Sequence, residues 1–419
     1  MALNIVDAVA TIKQSVAQCL TAQAIHQACR EARHTWRERE LGPAQTIWAF
    51  VLQVLHGNTA CAHVVRLARL ACSAAAYCSA RARLPLAVYE RLLEHTSRAA
   101  PRSFREPLWR GHRTFCTDGS GCSMPDTKPL REHFGQPGMQ RAGCGFPVAH
   151  LLTMFDAASG LLVKMLAAPL RTHDLAQVAQ LHPELQPGDV LVGDTAFAAF
   201  VHLALLFAAR LHGVFRAHQR TLVSFRRDRQ LVGKRPQGTR AAHAVSRLVR
   251  KLGRYDQIVQ YRQPPVCPRW MTAEQFAALP ETIEVRELRF GTRRRGFRTR
   301  VVTLVTTLLD AQAYPADELA ALYGRRWEIE TNFRHLKTTM RMDVLHCHSV
   351  EGVLKELCMF ALVYNLVRLV MLAAAREQQL PHQRLSFIDA LRWLASACKH
   401  TTELELLVNP RRPGRYEPR

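Results

Sequence analysis

The stretch YGRRWEIETNFRHLK, residues 323–337, places two glutamates among four Lys and Arg residues on a predicted helix. At about 100° per residue, four of its polar side chains fall within one stripe roughly 60° wide: Tyr323, Arg326, Glu330 and Lys337. Such a stripe is either an ion-paired face covered by solvent or a surface that holds an anion beside a carboxylate. A solvated face is ordinary for one charged helix, so the choice depends on the rest of the chain.

The charge of the chain points to a polyanionic partner. Its 419 residues contain 57 Lys and Arg against 34 Asp and Glu, which gives a formal net charge of +23. Nucleic acid is the first expectation for such an excess, and an anionic membrane surface is the competitor. A hydrophobic content of 48% allows a large core and two or three domains.

Two apolar runs have almost the length of a membrane span, but polar residues interrupt both. FAAFVHLALLFAARLHGVF contains His and Arg, and CMFALVYNLVRLVMLAAA contains Asn365 and Arg368. Neither supplies about 20 consecutive apolar residues, and the first residues lack the order of a signal peptide. The sequence therefore predicts a cytoplasmic protein, bound to the nucleoid when on DNA, with no membrane partner.

Changes of composition divide the chain into five predicted parts. The first has helical periodicity and is expected to be a DNA-binding domain, although a plain helical bundle fits its composition equally well. The second and fourth alternate strands and helices, which is typical of an α/β fold with a mixed sheet. The third is a basic, β-rich insertion, and the fifth is a helical tail. The boundaries are 1–105, 106–217, 218–300, 301–375 and 376–419.

The insertion is the most basic part of the chain. It contains 20 Lys and Arg against 6 Asp and Glu, so a fifth of the residues holds +14 of the total charge. DQIVQYRQP and ETIEVRELRF are predicted strands, and GTRRRGFRTR is a predicted hairpin or loop. We interpret this part as a subdomain that faces nucleic acid. The expected contacts in its basic loop are Arg293, Arg294, Arg295 and Arg298.

Two aspartates lie where predicted strands end. Asp118 follows the run RTFCT, and Asp194 follows LVG just before a predicted helix. Each has an ordinary explanation, because Asp-Gly favours a turn and Asp before a helix caps it. Together with Glu330, in a chain of this charge, they predict three carboxylates at one site. Asp126, beyond the turn, and Asp189, at the opposite end of its strand, are weaker candidates.

Phosphodiester cleavage with two metal ions requires such a set of acids. Mg²⁺ and Mn²⁺ prefer oxygen ligands, and two ions about 4 Å apart activate a nucleophile and stabilise the leaving 3′ oxygen. The cations and the phenol of the helix stripe would then hold the phosphates of the substrate.

The spacing Y-x2-R-x3-E-x6-K in the opening stretch resembles the signature of insertion-sequence DDE transposases of the YREK group, insertion-element family four. TDGSGCSMPDT resembles the first catalytic motif of that family, and LVGDTAF resembles the second. The resemblance covers about residues 30–375. Thr195 is a departure, because the family often has a basic residue directly after the second aspartate.

The resemblance implies an RNase H-like catalytic core with a β-rich insertion between the second aspartate and the glutamate. The implied catalytic residues, which would bind two Mg²⁺ or Mn²⁺ ions, are Asp118, Asp194 and Glu330. The implied phosphate contacts near the transposon end are Tyr323, Arg326 and Lys337.

Two tryptophans beside basic residues are candidates for stacking on an unpaired base. For Trp270, in CPRWM, base stacking and core packing are equally consistent with the sequence. For Trp327, core packing is the favoured expectation.

The predicted function is cut-and-paste DNA transposition. The expected partners are double-stranded DNA, as terminal inverted repeats and as target, and a second copy of the chain in a synaptic complex; no small-molecule substrate is expected. One alternative is a non-transposing metal-dependent nuclease or domesticated relative. A different class of alternative is a DNA-binding protein without catalysis, whose acids are structural.

Overall fold

One mixed sheet of nine strands organises the part of the chain that the computed structural model describes, residues 20–37, 40–99, 109–138, 145–218, 223–226, 246–291 and 301–396. The strands are β1 (Thr114–Ser123), β2 (Val148–Asp156), β3 (Leu162–Pro169), β4 (Val190–Gly193), β5 (His212–Arg216), β6 (Ser246–Gly253), β7 (Asp256–Arg262), β8 (Thr282–Gly291) and β9 (Val301–Thr306). Their order is β3-β2-β1-β4-β5-β9-β8-β7-β6.

The first five strands form one half of the sheet. β1, β2 and β3 are a meander of antiparallel neighbours, whereas β4 and β5 run parallel to β1. β4 is a short, fully buried apolar run, as expected for a strand covered on both faces. The order β3-β2-β1-β4-β5 with these directions is that of an RNase H-like core, so the predicted α/β fold class is confirmed.

Thirteen helices cover the sheet and precede it within the described residues. They are α1 (Ala22–Glu31), α2 (Pro43–Leu55), α3 (Cys61–Leu67), α4 (Ala74–Arg83), α5 (Leu86–Arg98), α6 (Lys128–Phe134), α7 (Asp174–Val178), α8 (Phe200–Ala208), α9 (Ala273–Ala277), α10 (Ala316–Gly324), α11 (Trp327–Arg334), α12 (Val350–Glu377) and α13 (Phe387–Ala395). The helical character predicted for the N-terminal part is therefore confirmed where the structure describes it.

The strands of the basic insertion extend the first half of the sheet through β9. β9 pairs with β5 on one side and with β8 on the other, so β6, β7 and β8 continue the same sheet. A buried arginine joins this extension to the core: Arg286, on β8, binds Asp256 of β7 with two N–H groups and donates to the Tyr314 carbonyl, just before α10, at 2.7 Å. The domain boundaries around residues 218–300 remain a prediction.

The long helix α12 is the centre of the larger apolar core. It packs against α5, α2 and β3, so the N-terminal helices and the sheet share one apolar cluster. α12 is long and apolar enough to cross a membrane, but 89% of its most apolar window is buried inside the protein. Its hydrophobicity is thus explained by its central position in the core.

The helix that carries the opening stretch is not continuous, as the sequence led us to expect. α10 ends at Gly324, α11 begins at Trp327, and a π-helix (His335–Thr339) follows directly. Angles counted at 100° per residue along a single helix are therefore wrong between Tyr323 and Lys337. Arg325 and Arg326 keep a right-handed helical backbone, but their hydrogen bonds are of the tighter 3-10 type.

A buried carboxylate ties the N-terminal helices to the segment that follows this π-helix. Glu356, on α12, is fully buried and accepts hydrogen bonds from Asn58 Nδ2 and from the backbone N–H groups of His346 and Cys347. Since a buried carboxylate is costly without donors, these bonds fix the relative position of three chain segments.

We expect Glu356→Gln to lower the free energy of unfolding by about 2–4 kcal/mol. The NH₂ group of the glutamine would face N–H donors that now bind the carboxylate, and those donors would lose their acceptor. Glu351→Gln is the matched control, since Glu351 lies on the same helix with an exposed side chain and should change stability by about 0.5 kcal/mol or less. Urea unfolding measures both. Equal stability of the two variants would contradict this role of Glu356.

Two stacked histidines lie beneath the turn that follows β4. His202 Nδ1 donates to the Phe197 carbonyl at 2.8 Å, and its Nε2 lies 3.2 Å from Nε2 of His182. Burial lowers the pKa of His202 to about 3 and that of His182 to about 4. The unfolded chain therefore binds protons before the folded chain does, and the folded state loses stability as the pH falls from about 6.5 toward 4.

His202→Asn keeps a donor for the Phe197 carbonyl and removes one titrating ring. We expect its unfolding free energy to depend less on pH than that of the wild type, by up to about 1.4 kcal/mol per pH unit between pH 6.5 and 4. Urea unfolding at pH 7, 6 and 5 measures the slope, with the exposed His95→Asn as control. If the unfolding free energies of His202→Asn and the wild type have the same slope against pH, the lowered pKa of His202 does not contribute to the pH dependence of stability.

Candidate active site

The unequal lengths of β1 and β4 leave two acidic side chains at an opening of the sheet. β4 pairs with β1 only along Thr114–Cys116 and ends at Gly193, whereas β1 continues to Ser123. Asp118 and Asp194 each follow the last paired residue of their strand by two positions. Because strand side chains alternate between faces, parallel register places both carboxylates on the same face as neighbours.

Neither aspartate has the ordinary role that its local sequence allows. Asp118 and Gly119 lie inside β1, which stays paired with β2 as far as Ser123, so the expected strand end at Asp118 is wrong. Asp194 precedes a short 3-10 turn, Thr195–Phe197, without capping it. Its Oδ1 is buried and has no hydrogen-bond partner among the described residues. Both carboxylates are thus left for a role outside secondary structure.

The electrostatic surroundings of Asp118 oppose its charge. Burial raises the pKa of this carboxyl, and the carboxylates of Asp194 and Asp174 act in the same direction. Arg326 and the backbone N–H of Gly119 lower the pKa but do not cancel the increase. A cation placed among these carboxylates would therefore relieve their repulsion.

Arg326 supplies such a cation from the junction between α10 and α11. Its Nη1 lies 3.1 Å from Asp118 Oδ2, and its guanidinium carbon lies 4.9 Å from the Trp327 ring centroid and 5.8 Å from that of Tyr323. The residue is only 7% exposed. Burial lowers the pKa of Arg326, but Tyr323 and the two aspartates outweigh it, and the net pKa is raised.

The other two members of the opening motif approach the same strand. Lys337, in the π-helix, has its Nζ 3.3 Å from Oγ of Ser120 on β1. Glu330 is partly buried on α11, which packs against β1. Within the described ranges, no three Asp, Glu, His or Cys side chains converge tightly enough to hold a metal ion. The structure therefore brings Asp118, Asp194 and Arg326 together without completing a triad at Glu330.

A histidine and an aspartate that sequence reasoning missed border this site. His150, on β2, donates from Nε2 to Oδ1 of Asp174 at 2.7 Å. Asp174 begins α7 and lies so close to β1 that a Cβ at position 119 would be 2.7 Å from its Oδ1. Glycine at 119 is thus required for this approach. The one available signal was an acidic residue at a predicted helix start, which is too common to single out.

Of the other residues predicted to contact DNA, the structure describes the two tryptophans but not the arginines of the basic loop. Trp270 is partly buried and packs against the smaller apolar core. Trp327 is 37% exposed, so the expectation of core packing is wrong. The arginines of the basic loop, Arg293, Arg294, Arg295 and Arg298, lie outside the described residues.

The two weaker acidic candidates have structural partners. Asp126 is bound by Arg131 at 2.8 Å on the surface. Asp189 is buried, pairs with Arg113 and caps the turn before β4 by accepting from the Gln186 N–H. They lie away from the opening, in line with their lower rank in the sequence.

The donor set at the opening suits a hard divalent cation. A buried carboxylate oxygen without a hydrogen bond, such as Oδ1 of Asp194, is costly unless a cation or solvent meets it. Oxygen atoms of neighbouring carboxylates are the ligands that Mg²⁺ and Mn²⁺ prefer. The residues present therefore fit such an ion.

Comparison with known proteins identifies the family of the chain. Residues 109–366 match the model of a family described as a transposase DDE domain. The transposase InsG for insertion sequence element IS4 of Escherichia coli (strain K12) is 25% identical over 358 residues, which cover 82% of this chain and 73% of the relative. A cryo-EM structure of a piggyBac transposase synaptic complex with hairpin DNA aligns with 94% of this chain and 79% of that chain, at 9% identity and a TM-score of 0.47. Since the family match spans more than half of its residues, the chain belongs to the DDE transposases.

Proposed function

We propose that the chain is the transposase of an insertion sequence, which binds the terminal inverted repeats, cuts DNA at the element ends and joins the freed 3′-OH to target DNA. The observation that carries this proposal is the pair of neighbouring carboxylates at the sheet opening, one of which has a buried oxygen that no described residue of the chain hydrogen-bonds. Membership of the DDE transposases supports it.

In this proposal Asp118, Asp194 and Glu330 hold two Mg²⁺ or Mn²⁺ ions, which would activate the attacking oxygen and stabilise the leaving 3′ oxygen. Asp118 and Asp194 are fixed by the sheet. Glu330 joins them from α11, and the interruption of the helix between α10 and α11 is where the chain adjusts to bring it in. Both aspartates are partly buried, so a bound substrate would exclude much of the remaining water from the site.

The cations and the phenol around this opening would bind the DNA backbone. Lys337 contacts Ser120 on β1, two residues beyond Asp118, while Arg326 contacts Asp118 itself and lies against the buried ring of Tyr323. Arg offers a planar fork that suits phosphate oxygens. The basic-loop arginines of residues 218–300 and Trp270 are proposed to contact DNA farther from the scissile bond.

The partners follow from the reaction. Each element end needs an active site, so a homodimer in a synaptic complex is the expected assembly, on double-stranded DNA as repeat and as target. The reaction takes place where a bacterium keeps its DNA, which places the protein in the cytoplasm at the nucleoid.

We expect Glu330→Gln to lower cleavage of DNA carrying the element ends by at least about 100-fold with Mg²⁺, because a metal ligand is lost. Glu328→Gln is the matched control, since Glu328 pairs with Arg325 on the same turn and should keep cleavage within about 3-fold of the wild type. Gel assays of labelled duplex measure both. Full cleavage by Glu330→Gln would show that Glu330 is not a metal ligand. Cleavage by the wild type without strand transfer into a plasmid would favour a nuclease over a transposase.

Lys337→Gln should weaken binding of the same duplex by about 3- to 10-fold and reduce the slope of log affinity against log salt by about 1, because one phosphate contact is lost. Filter binding in Ca²⁺ at several salt concentrations measures this without cleavage. Lys128→Gln, on an exposed helix with Glu132 as its ion-pair partner, is the control. An unchanged salt slope for Lys337→Gln would show that Lys337 does not touch phosphate.

A further inference from the structure

The guanidinium of Arg326 lies where a metal ion would have to approach Asp118. Its Nη1 is 3.1 Å from Asp118 Oδ2, and Asp194 is close enough to raise the pKa of Arg326 together with Tyr323 and Asp118, against the lowering effect of burial. One carboxylate is thus bound by an internal cation, while Oδ1 of the other has no partner among the described residues.

We propose that Arg326 is a stand-in cation, which means that its guanidinium occupies Asp118 in place of a metal ion. It keeps the metal site incomplete until a DNA phosphate draws the guanidinium away from Asp118. The inference rests on the proposed function, since it needs Asp118 and Asp194 to be metal ligands. It adds a positioning role for Arg326: binding of the substrate backbone releases the carboxylate on which the metal depends.

The contact between Arg326 and Asp118 is incomplete, which makes it exchangeable. Only one guanidinium nitrogen bonds to Asp118, and the buried Nε has no hydrogen-bond partner among the described residues. A buried donor that stays unpaired is costly. The guanidinium also has a side-chain hydrogen bond with Tyr323, so its bond to Asp118 is a single one that can be exchanged by itself. A phosphate accepts two parallel N–H bonds from a guanidinium and therefore competes well with that single bond.

The surroundings of Arg326 provide a path to the surface. Its guanidinium lies 4.9 Å from the centroid of the Trp327 ring, and Trp327 is 37% exposed. The side chain can therefore swing from Asp118 toward solvent while its cation stays on the same ring. Arg326 lies between α10 and α11, where its backbone makes 3-10-type hydrogen bonds with Tyr323 and Ile329, so this movement is one of the side chain alone.

The consequence is a coupling between metal and DNA. If DNA removes Arg326 from Asp118, DNA raises the affinity for the ion, and by linkage the ion raises the affinity for DNA by the same factor. A transposase built this way holds little metal at Asp118 while it is off DNA, which limits cleavage of unrelated strands.

The test is Mn²⁺ binding to the full chain, followed by the electron paramagnetic resonance signal of free Mn²⁺, with and without saturating element-end duplex. A titration of the duplex alone is subtracted. We expect the duplex to raise the Mn²⁺ affinity of the wild type about 10-fold. Arg326→Gln should bind Mn²⁺ about 10-fold more tightly than the wild type without DNA and gain less than about 2-fold from DNA.

Two further variants separate a specific contact from the loss of one charge. Arg325→Gln removes the same charge one residue away, where the side chain binds Glu328 and the Ala157 carbonyl, and should behave as the wild type. Arg326→Met fills the same buried space without a donor and should match Arg326→Gln, so a misfolded Gln variant does not end the test. Urea unfolding confirms that each variant is folded.

The outcomes distinguish this inference from the function on which it rests. Asp194→Asn should abolish the tight Mn²⁺ site, and if it does not, the proposed metal site itself is wrong. If Asp194→Asn abolishes binding but folded Arg326→Gln and Arg326→Met bind Mn²⁺ as weakly as the wild type, the stand-in role of Arg326 alone is overturned. If Arg325→Gln gains as much Mn²⁺ affinity as Arg326→Gln, the gain comes from the loss of any one positive charge, and the stand-in role of Arg326 is overturned as well.

Discussion

Two carboxylates held side by side in a partly buried opening must be balanced by positive charge, and the arrangement of this protein follows from that requirement. Asp118 and Asp194 are brought together because β4 stops while β1 continues. The backbone fixes both, so neither can move away from the other. Two cations contact the same strand: Arg326, between α10 and α11, reduces the repulsion at Asp118, and Lys337, in the π-helix, contacts Ser120.

The opening stretch is not one regular α-helix, because 3-10-type hydrogen bonds join α10 to α11 and a π-helix follows. On a straight helix, the motif residues would form one stripe and compete for one direction. With α10, α11 and a π-helix in succession, Arg326 reaches Asp118 while Lys337 reaches Ser120 on the same strand. π-helical turns often occur at functional sites, and here the turn carries the lysine of the motif.

The sequence was most informative where the signal is local. The strand runs, the helical N-terminal part and the cations of the opening stretch could be read from periodicity and composition. The pairing that sets Asp118 beside Asp194 joins residues far apart in the chain, and so does the contact of His150 with Asp174. Local patterns do not encode such pairings, nor do they show that β6, β7 and β8 extend the first half of the sheet through β9. The helix break escaped prediction because Gly324 is a weak signal within an otherwise helical pattern.

The most direct test of the metal-binding pair is the anomalous scattering of Mn²⁺ in crystals of the chain bound to element-end duplex. We expect two peaks about 4 Å apart at the sheet opening, within bonding distance of Asp118 and Asp194, with Glu330 moved in and Arg326 on a phosphate. The contrary result is a complex at saturating Mn²⁺ with no peak at these aspartates, Oδ1 of Asp194 bonded to a protein donor and Arg326 still on Asp118.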